Sequence, residues 1–318
     1  MKTIAVALIT YNGEKFILDQ IRSVKNQTIK PSRVYIFDDA STDSTVEIIS
    51  SFIEEYNLLE WQIHISNNNH GWRNNAINAL SNINEDIVFW CDQDDIWDSN
   101  KIEVMINYFY NNECMAVYSS WRYIDSKNHL MGIISGKNSN KIFTIDPNQK
   151  SDIIPPMLGC SACYRREIIE ILFDIVPCEY DGPDWILNYL ALSVGKIIYI
   201  DRPLFSRRIH DNNVTTSVNK MRRNWKFDCI KHKKSIDIMN LQLLTIKKII
   251  LRLKKLQYNV NFLEREENHL ETRINFVTHH INVLKYLYCS FIQNNIKDFI
   301  HIMIKDFYYV FMINNKNI

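Results

Sequence analysis

Asp86-Ile87-Val88-Phe89-Trp90-Cys91-Asp92-Gln93-Asp94-Asp95-Ile96-Trp97 runs five apolar residues into three carboxylates within four positions. A short apolar run bounded by polar residues reads as a buried strand. Carboxylates that close repel one another unless a cation or protons compensate. Hard oxygen ligands at a strand end suit Mg²⁺ or Mn²⁺, held jointly with the phosphates of a substrate. In open α/β sheets, ligands bind beyond the carboxyl ends of the strands. Taken alone, the cluster also reads as an acidic surface loop.

The segments before it repeat one alternation. Thr3–Thr10 is a β-branched apolar run that reads as a strand, and Tyr11-Asn12-Gly13 as a turn. Phe16, Ile17, Ile21 and Val24 fall at helical spacing within Glu14–Lys25. Arg33–Phe37 is a second strand, and the loop Asp38-Asp39-Ala40-Ser41-Thr42-Asp43 follows, with Ser41 or Thr42 expected to cap a helix through Ile48, Ile49 and Phe52. Trp61–Ile65 is a third strand, Trp72–Leu80 a short helix, Ile87–Cys91 the fourth strand and Lys101–Tyr110 the helix after it. Strand and helix alternating over some 110 residues predict a parallel sheet. No GxGxxG or GxxxxGK[ST] is present, which argues against a dehydrogenase and a P-loop ATPase.

Composition supports a folded enzyme with an attached basic part. The chain has 318 residues, 46% hydrophobic and 23% charged, enough for a large core. Its net charge of +1 hides a division: residues 1–218 hold 19 Lys+Arg against 28 Asp+Glu, and residues 219–318 hold 18 against 8. The basic part implies an anionic partner, a lipid surface or a nucleic acid. Seven scattered cysteines read as reduced and intracellular, and Cys160/Cys163 form one CxxC with no second pair to complete a zinc site. The start, Met1-Lys2 then Thr3–Thr10, is too short for a signal sequence and runs straight into Tyr11-Asn12-Gly13. The most apolar long stretch, Ile296–Ile313, carries Lys297, Asp298, Lys305 and Asp306, so no membrane span is expected.

Three strand-end clusters should converge on one crevice. A Tyr in Thr10-Tyr11-Asn12 offers a flat face to a nucleobase, although the same residues could form an ordinary turn. A carboxylate of Asp38-Asp39 could accept from a pyrimidine N–H, although helix capping is its everyday use. The third cluster is Asp92, Asp94 and Asp95.

These motifs in this order, with Asn26-Gln27-Thr28 between the first two and DQDD-x-W at the end, resemble the family 2 glycosyltransferases. The DQDD-x-W form is similar to the subgroup containing bacterial rhamnosyltransferases. The resemblance covers roughly residues 1–215. It implies a GT-A fold, an α/β architecture with a Rossmann-like mixed sheet: a nucleotide-sugar-binding half (1–112) and an acceptor or catalytic half (113–218), followed here by a basic α-helical extension (219–318). It also implies inverting, metal-assisted transfer from a dTDP-, UDP- or GDP-linked sugar, with Mg²⁺ or Mn²⁺ as cofactor. By position, Tyr11 and Asp39 would hold the donor base, with Thr10 and Asn12 also among the donor-binding residues. Asp94 would sit near the ribose and metal and Asp95 would ligate the metal, with Asp92 ligating or supporting. Arg73, after Gly71, would reach the nucleotide or lie on a solvated helix face.

The second half supplies further matches. Gly159-Cys160-Ser161-Ala162 resembles the family's small-residue turn under the donor sugar. Asp181-Gly182-Pro183-Asp184-Trp185 resembles its "(E/H)D-W" motif, which makes Asp184 the general base at the start of a helix, with Asp181 as fallback. Pro183 departs from the usual His or Glu. Arg207-Arg208-Ile209-His210-Asp211-Asn212-Asn213 resembles "YRxHxxN"; Arg208 and His210 match and would face the diphosphate, and Arg207 stands where Tyr is usual.

Met239, Leu243, Ile246, Ile250 and Leu253 mark one apolar helix face, and Leu263, Leu270, Ile274, Val277, Ile281, Leu284, Tyr288 and Phe291 continue the rhythm. Such a stripe suits an anionic membrane, a homodimer seam or a packed helical appendage. The implied protein acts on a bacterial surface polysaccharide or lipid-linked glycan, in the cytoplasm or on the inner membrane face, with no nucleic acid partner. The competing classes are a sugar nucleotidyltransferase, which needs a glycine-rich loop where Tyr11-Asn12-Gly13-Glu14 stands, and a nucleic-acid-binding protein working through the basic helices.

Overall fold

The computed structural model describes residues 2–111, 114–146, 157–176, 182–211, 213 and 229–279. The chain divides into two compact units, Met1–Asp174 with Gly182–Arg222, and Ile175–Asp181 with Arg223–Ile318. The expected boundaries at 112/113 and 218/219 fall on residues outside those described.

The first unit is built on one mixed sheet. Its strands are β1 (Ile4–Thr10), β2 (Arg33–Asp38), β3 (Trp61–Ile65), β4 (Ile87–Asp92), β5 (Ile96–Trp97), β6 (Cys114–Ile124), β7 (Leu130–Ile134), β8 (Ile142–Ile145), β9 (Ala162–Arg165) and β10 (Lys196–Arg208). Its helices are α1 (Ile17–Lys25), α2 (Thr45–Glu55), α3 (Trp72–Ser81), α4 (Lys101–Asn111), α5 (Arg166–Phe173) and α6 (Pro183–Val194). The strand order is β3-β2-β1-β4-β9-β6-β10-β5, with β7 on β6 and β8 on β10. The block β3-β2-β1-β4 is parallel, as the sequence predicts. Both faces of β1 are buried from Ile4 to Leu8, as expected of a central parallel strand. Chain order reverses beside β1, which pairs with β2 on one side and β4 on the other, and this opens a crevice at their carboxyl ends.

Beyond β4 the sheet turns antiparallel through β9 and returns to a parallel pair, β6 with β10. In sequence, only the run Gly195–Ile200 reads as this strand, β10. It runs on to Arg208 because register shifts around Pro203 absorb a residue that cannot donate to the ladder. The core holds Val6, Leu8, Ile36, Ile49, Phe89, Ile102, Met105 and Phe205. One expected cap is corrected. Ser44 is the N-cap residue of α2 and makes no side-chain cap bond. The Thr45 N–H is instead taken by Asp43 Oδ1 (3.0 Å), while Ser41 is turned back onto Asp38.

The second unit is described through α7 (Cys229–Lys255) and α8 (Asn261–His279), which pack on each other. Met239, Ile246, Ile250 and Leu253 of the expected stripe are buried, as are Leu263 and Leu270 on α8. Lys247–Glu271 and Lys254–Glu264, both 2.8 Å, tie the pair. Ile281, Leu284, Tyr288, Phe291 and residues 296–313 lie outside the described residues. Among the described residues, no helix is long and apolar enough to cross a membrane.

Phe89 is fully buried and packs against Trp97 with ring centroids 5.8 Å apart, directly behind the acid cluster. Phe89→Ala is expected to lower stability by about 3–5 kcal/mol, because the sheet cannot close over the cavity. Urea unfolding followed by circular dichroism measures it.

Candidate active site

Strand register sets the ends of β1, β2 and β4 level. Thr10 lies opposite Asp38, and Ile9 opposite Asp92. Gln93, between the acids, locks two of these ends together. Its Oε1 accepts from Thr10 Oγ1 (2.6 Å) and the Tyr11 N–H (2.8 Å), and its Nε2 donates to the Tyr11 carbonyl (3.0 Å). Tyr11 is left 43% exposed, open for a planar ligand to lie on it. Asn12 adopts a left-handed φ of 48°, which Asn tolerates. Its N–H reaches Ser41 Oγ (2.8 Å) and its Oδ1 accepts from the Thr42 N–H (2.8 Å). The first and second loops are therefore one hydrogen-bonded unit.

Asp38 and Asp39 take separate tasks although both are buried. Asp38 binds the Ser41 N–H and hydroxyl. Asp39 accepts the N–H groups of His70 (2.9 Å) and Gly71 (2.8 Å), which fixes the turn into α3. Gly71 has φ 83°, a conformation that favours glycine. Arg73 follows on α3, its guanidinium carbon 5.3 Å from the Trp72 ring centre.

The three acids are not equivalent. Asp92 Oδ1 accepts from Trp90 Nε1 (3.0 Å). Burial, then repulsion from Asp94, pushes the Asp92 carboxyl up to about 6. Asp94 Oδ2 meets His210 Nε2 (2.8 Å) and Asn213 Nδ2 (3.2 Å). Asp95 is buried to 1% exposure; burial, then Asp94 and Asp92, raise its carboxyl well above the usual range. Asp95 Oδ1 accepts the Arg208 N–H (3.2 Å), and Oδ2 has no hydrogen-bond partner. A buried carboxylate oxygen without a donor, beside two more carboxylates, is the donor set a divalent cation satisfies. Asp92, Asp95 and Cys160 each offer a ligand atom within 4.8 Å of the others, so the residues present fit such an ion.

Consecutive arginines on β10 serve opposite sides. The Arg207 charge opposes those of Asp95 and Asp92; although burial works against it, Cys160 and these carboxylates raise its pKa further. Arg208 is 1% exposed, with its guanidinium over Phe16 (4.6 Å) and bonded to the Asp94 carbonyl (2.8 Å), the Asp125 carbonyl, Asn128 and Asp19. The expected diphosphate contact through Arg208 does not match this placement: its donors are spent on protein oxygens, and Arg207 is the guanidinium beside the acids. His210 packs on Phe16 (4.8 Å) and holds Asp94.

Asp184 sits in the first turn of α6, after Gly182 and Pro183. Burial raises its carboxyl, against the N–H bonds from Trp185 and Gly159 and the charge of Arg73. Gly159 begins a buried 3₁₀ turn, Gly159–Ser161. A Cβ there would stand 3.0 Å from the Trp90 ring and 3.4 Å from Asp184 Cβ. Glycine thus lets Asp184 approach Trp90, which holds Asp92. Asp181, the fallback base, lies outside the described residues.

The expected residues are therefore linked: Asp39 to Gly71, Arg73 to Asp184, Asp184 through Gly159 and Trp90 to Asp92, and Gln93 to Thr10 and Tyr11. Sequence reading assigns no role to Gln93, Arg207, Asn213 or Lys101, and places Cys160 only in the turn under the donor sugar. Lys101 is fully buried under the cluster, donates to the Cys160 carbonyl (2.9 Å) and lies 4.0 Å from the Trp97 ring centre. The motif that carries His210 ends on Asn213, three residues further on, and is the signal that could have found it; nothing local marks Lys101.

An open sheet whose switch point gathers acids on one side and a partly buried carboxylate on the other has the crevice in which α/β proteins bind their ligands. Residues 5–173 match the family model "Glycosyl transferase family 2", and the chain belongs to that family. It is 27% identical over 218 residues to the dTDP-rhamnosyl transferase RfbG of Shigella flexneri, covering 65% of this chain and 72% of that one. The chain spans about two thirds of the length of the curated relatives it matches. Among solved structures, S. aureus TarS 1–349 in complex with UDP-GlcNAc aligns with a TM-score of 0.60 at 15% identity, over 94% of this chain and 81% of that one. The mannosyltransferase PcManGT from Pyrobaculum calidifontis, in complex with GDP-Man and Mn²⁺, aligns at 0.54 and 15%, over 97% and 85%. The fold is GT-A.

Raised carboxyls bind protons more tightly in the folded chain than in the unfolded one. The metal-free protein should therefore lose stability as pH rises from near 3.8 through about 6, the Asp92 range. Asp95→Asn should raise the melting temperature of the metal-free protein at pH about 7.5 by about 2–4 °C, on the order of 1 kcal/mol, and abolish the gain on adding Mn²⁺. Differential scanning calorimetry with and without the ion reads both effects.

Proposed function

We propose that the protein is an inverting glycosyltransferase that moves a sugar, rhamnose from dTDP-rhamnose, onto a surface glycan or lipid-linked glycan acceptor. The observation that carries it is Asp184, a partly buried carboxylate held by the Gly159 N–H, with the Gly159 turn packed between it and Trp90, the donor to Asp92. The likeness to a dTDP-rhamnosyl transferase supports the donor, and the net positive charge after residue 218 supports work at an anionic membrane surface.

Tyr11 takes the base on its exposed face, with Asp39 at the base edge and Thr10 and Asn12 shaping the loop. Asp92, Asp94 and Asp95 would hold Mg²⁺ or Mn²⁺, which neutralises diphosphate charge when bound. His210 and Asn213 orient Asp94, Arg208 fixes the backbone of the cluster, and Arg207 adds positive charge beside it. Arg73 lies on the Asp184 side, toward the transferred sugar. Asp184 accepts the proton of the acceptor hydroxyl as that oxygen bonds to the anomeric carbon. The bond from that carbon to the diphosphate oxygen breaks on the opposite face, so the configuration inverts. Burial of Asp184 makes it a stronger base than a solvated carboxylate.

Asp184→Asn should lower transfer by about 10²–10⁴-fold while leaving nucleotide affinity within about twofold, because the group acts on the acceptor proton. The wild-type rate should fall on the acid side as Asp184 takes up a proton, and the variant should lack that limb. Absence of transfer from dTDP-rhamnose, UDP-GlcNAc and GDP-mannose alike, with Mn²⁺ present, would reject the activity; transfer only from another donor would reject rhamnose.

A further inference from the structure

The 3₁₀ turn beside the acid cluster needs small residues, and glycine, alanine or serine would meet that need. This chain carries a thiol there. Cys160 is 3% exposed, and the Asp92 carboxylate receives its hydrogen bond. Its Sγ, an Asp92 oxygen and an Asp95 oxygen lie within 4.8 Å of one another. Two ligands of one ion stand about 3–4.5 Å apart when metal–sulfur bonds are about 2.3 Å and metal–oxygen bonds about 2.0–2.2 Å. Small side-chain adjustments bring all three onto one centre.

A second observation is independent of the thiol. Asp95 Oδ2 is the one carboxylate oxygen among the described residues that is buried with no hydrogen-bond partner. Its fellow oxygen already accepts the Arg208 N–H, so the carboxylate is held in place. Cys160 is held too: Lys101 Nζ grips its carbonyl from below, and Gly159 is pressed on Trp90. Ligands anchored this way keep their geometry whether or not an ion is bound.

We propose that Cys160 is a further protein ligand at this centre, beside the carboxylates, and makes it select thiophilic divalent ions. Resting on the reading of the acid cluster as a cation site, it names the ion class: Mn²⁺ over Mg²⁺, and Co²⁺, Zn²⁺ or Cd²⁺ over both. Sulfur favours softer ions, and the general affinity order rises from Mn²⁺ to Co²⁺. On binding, the thiol gives its proton to solvent and its sulfur to the ion, with no change of oxidation state.

The test uses the purified full chain and Co²⁺ alone. A sulfur-to-cobalt charge-transfer band is expected in the near ultraviolet. It should vanish in Cys160→Ala, which keeps the visible bands of oxygen-bound cobalt, and also in Asp95→Asn, which keeps every cysteine. Calorimetric titration should show Cd²⁺ affinity falling by at least about tenfold in Cys160→Ser and Mg²⁺ affinity changing by less than about twofold. No band in the saturated wild type, or a band surviving either Cys160→Ala or Asp95→Asn, overturns the assignment. Sugar transfer without the band rejects the thiolate ligand alone; the band without transfer rejects glycosyl transfer and leaves the mixed centre standing.

Discussion

Three carboxylates at the end of one strand repel one another, and much of the first unit is arranged to contain that repulsion. Asp92, Asp94 and Asp95 follow a strand buried on both faces, so the backbone cannot spread them apart. Positive charge and hydrogen-bond partners must therefore come to them. They come from β10, which adds Arg207, the Arg208 N–H and, just past its end, His210 and Asn213. That explains the length of β10 and its irregular pairing with β6: a strand ending at Ile200 would leave the acids unmet. Burial still pushes Asp92 and Asp95 toward the protonated form, so the metal-free cluster remains under electrostatic stress.

The same local economy appears on the other side of the crevice. Gln93 could be taken for a spacer between ligands, yet it forms three hydrogen bonds to the β1 turn. Asn12 and Ser41 then join that turn to the β2 loop. Tyr11 is thus presented by a rigid frame while remaining open to solvent. Gly159 performs the corresponding task for Asp184, because only a bare α-carbon lets Trp90 and Asp184 share its surface without displacement.

The first half of the fold was legible because its signals are local. Strand runs and helical spacing between Thr3 and Tyr110 need no distant partner to be read, and strand ends in a parallel sheet fall on one side. Motif order then directed attention to Asp39, Asp94, Asp184 and His210. What escaped depends on pairing between remote segments. Ser41 seemed a cap, since Ser often caps, but Asp38 and Asn12 claim its hydroxyl. In sequence Cys160 pairs with Cys163 as a CxxC, whereas its chemical neighbours in the fold are Asp92 and Asp95. Cys163 instead points to the Val117 carbonyl. Lys101 sits in the first turn of a helix like any solvated lysine, and only the fold shows it beneath the cluster.

Arg207 and Arg208 illustrate how strand phase assigns chemistry. Neighbours on a strand face opposite ways, so one guanidinium of the pair joins the acids and the other fills the space between Phe16, Asp19 and Asn128. Their identities are alike; parity along β10 alone decides which is exposed to the cluster and which is entombed. Inserting or deleting one residue between Pro203 and Arg207 would reverse the faces on which the two arginines fall while leaving both in place in the chain. A change of length in that short stretch would therefore exchange the two arginines' surroundings, which a change of one side chain there would not.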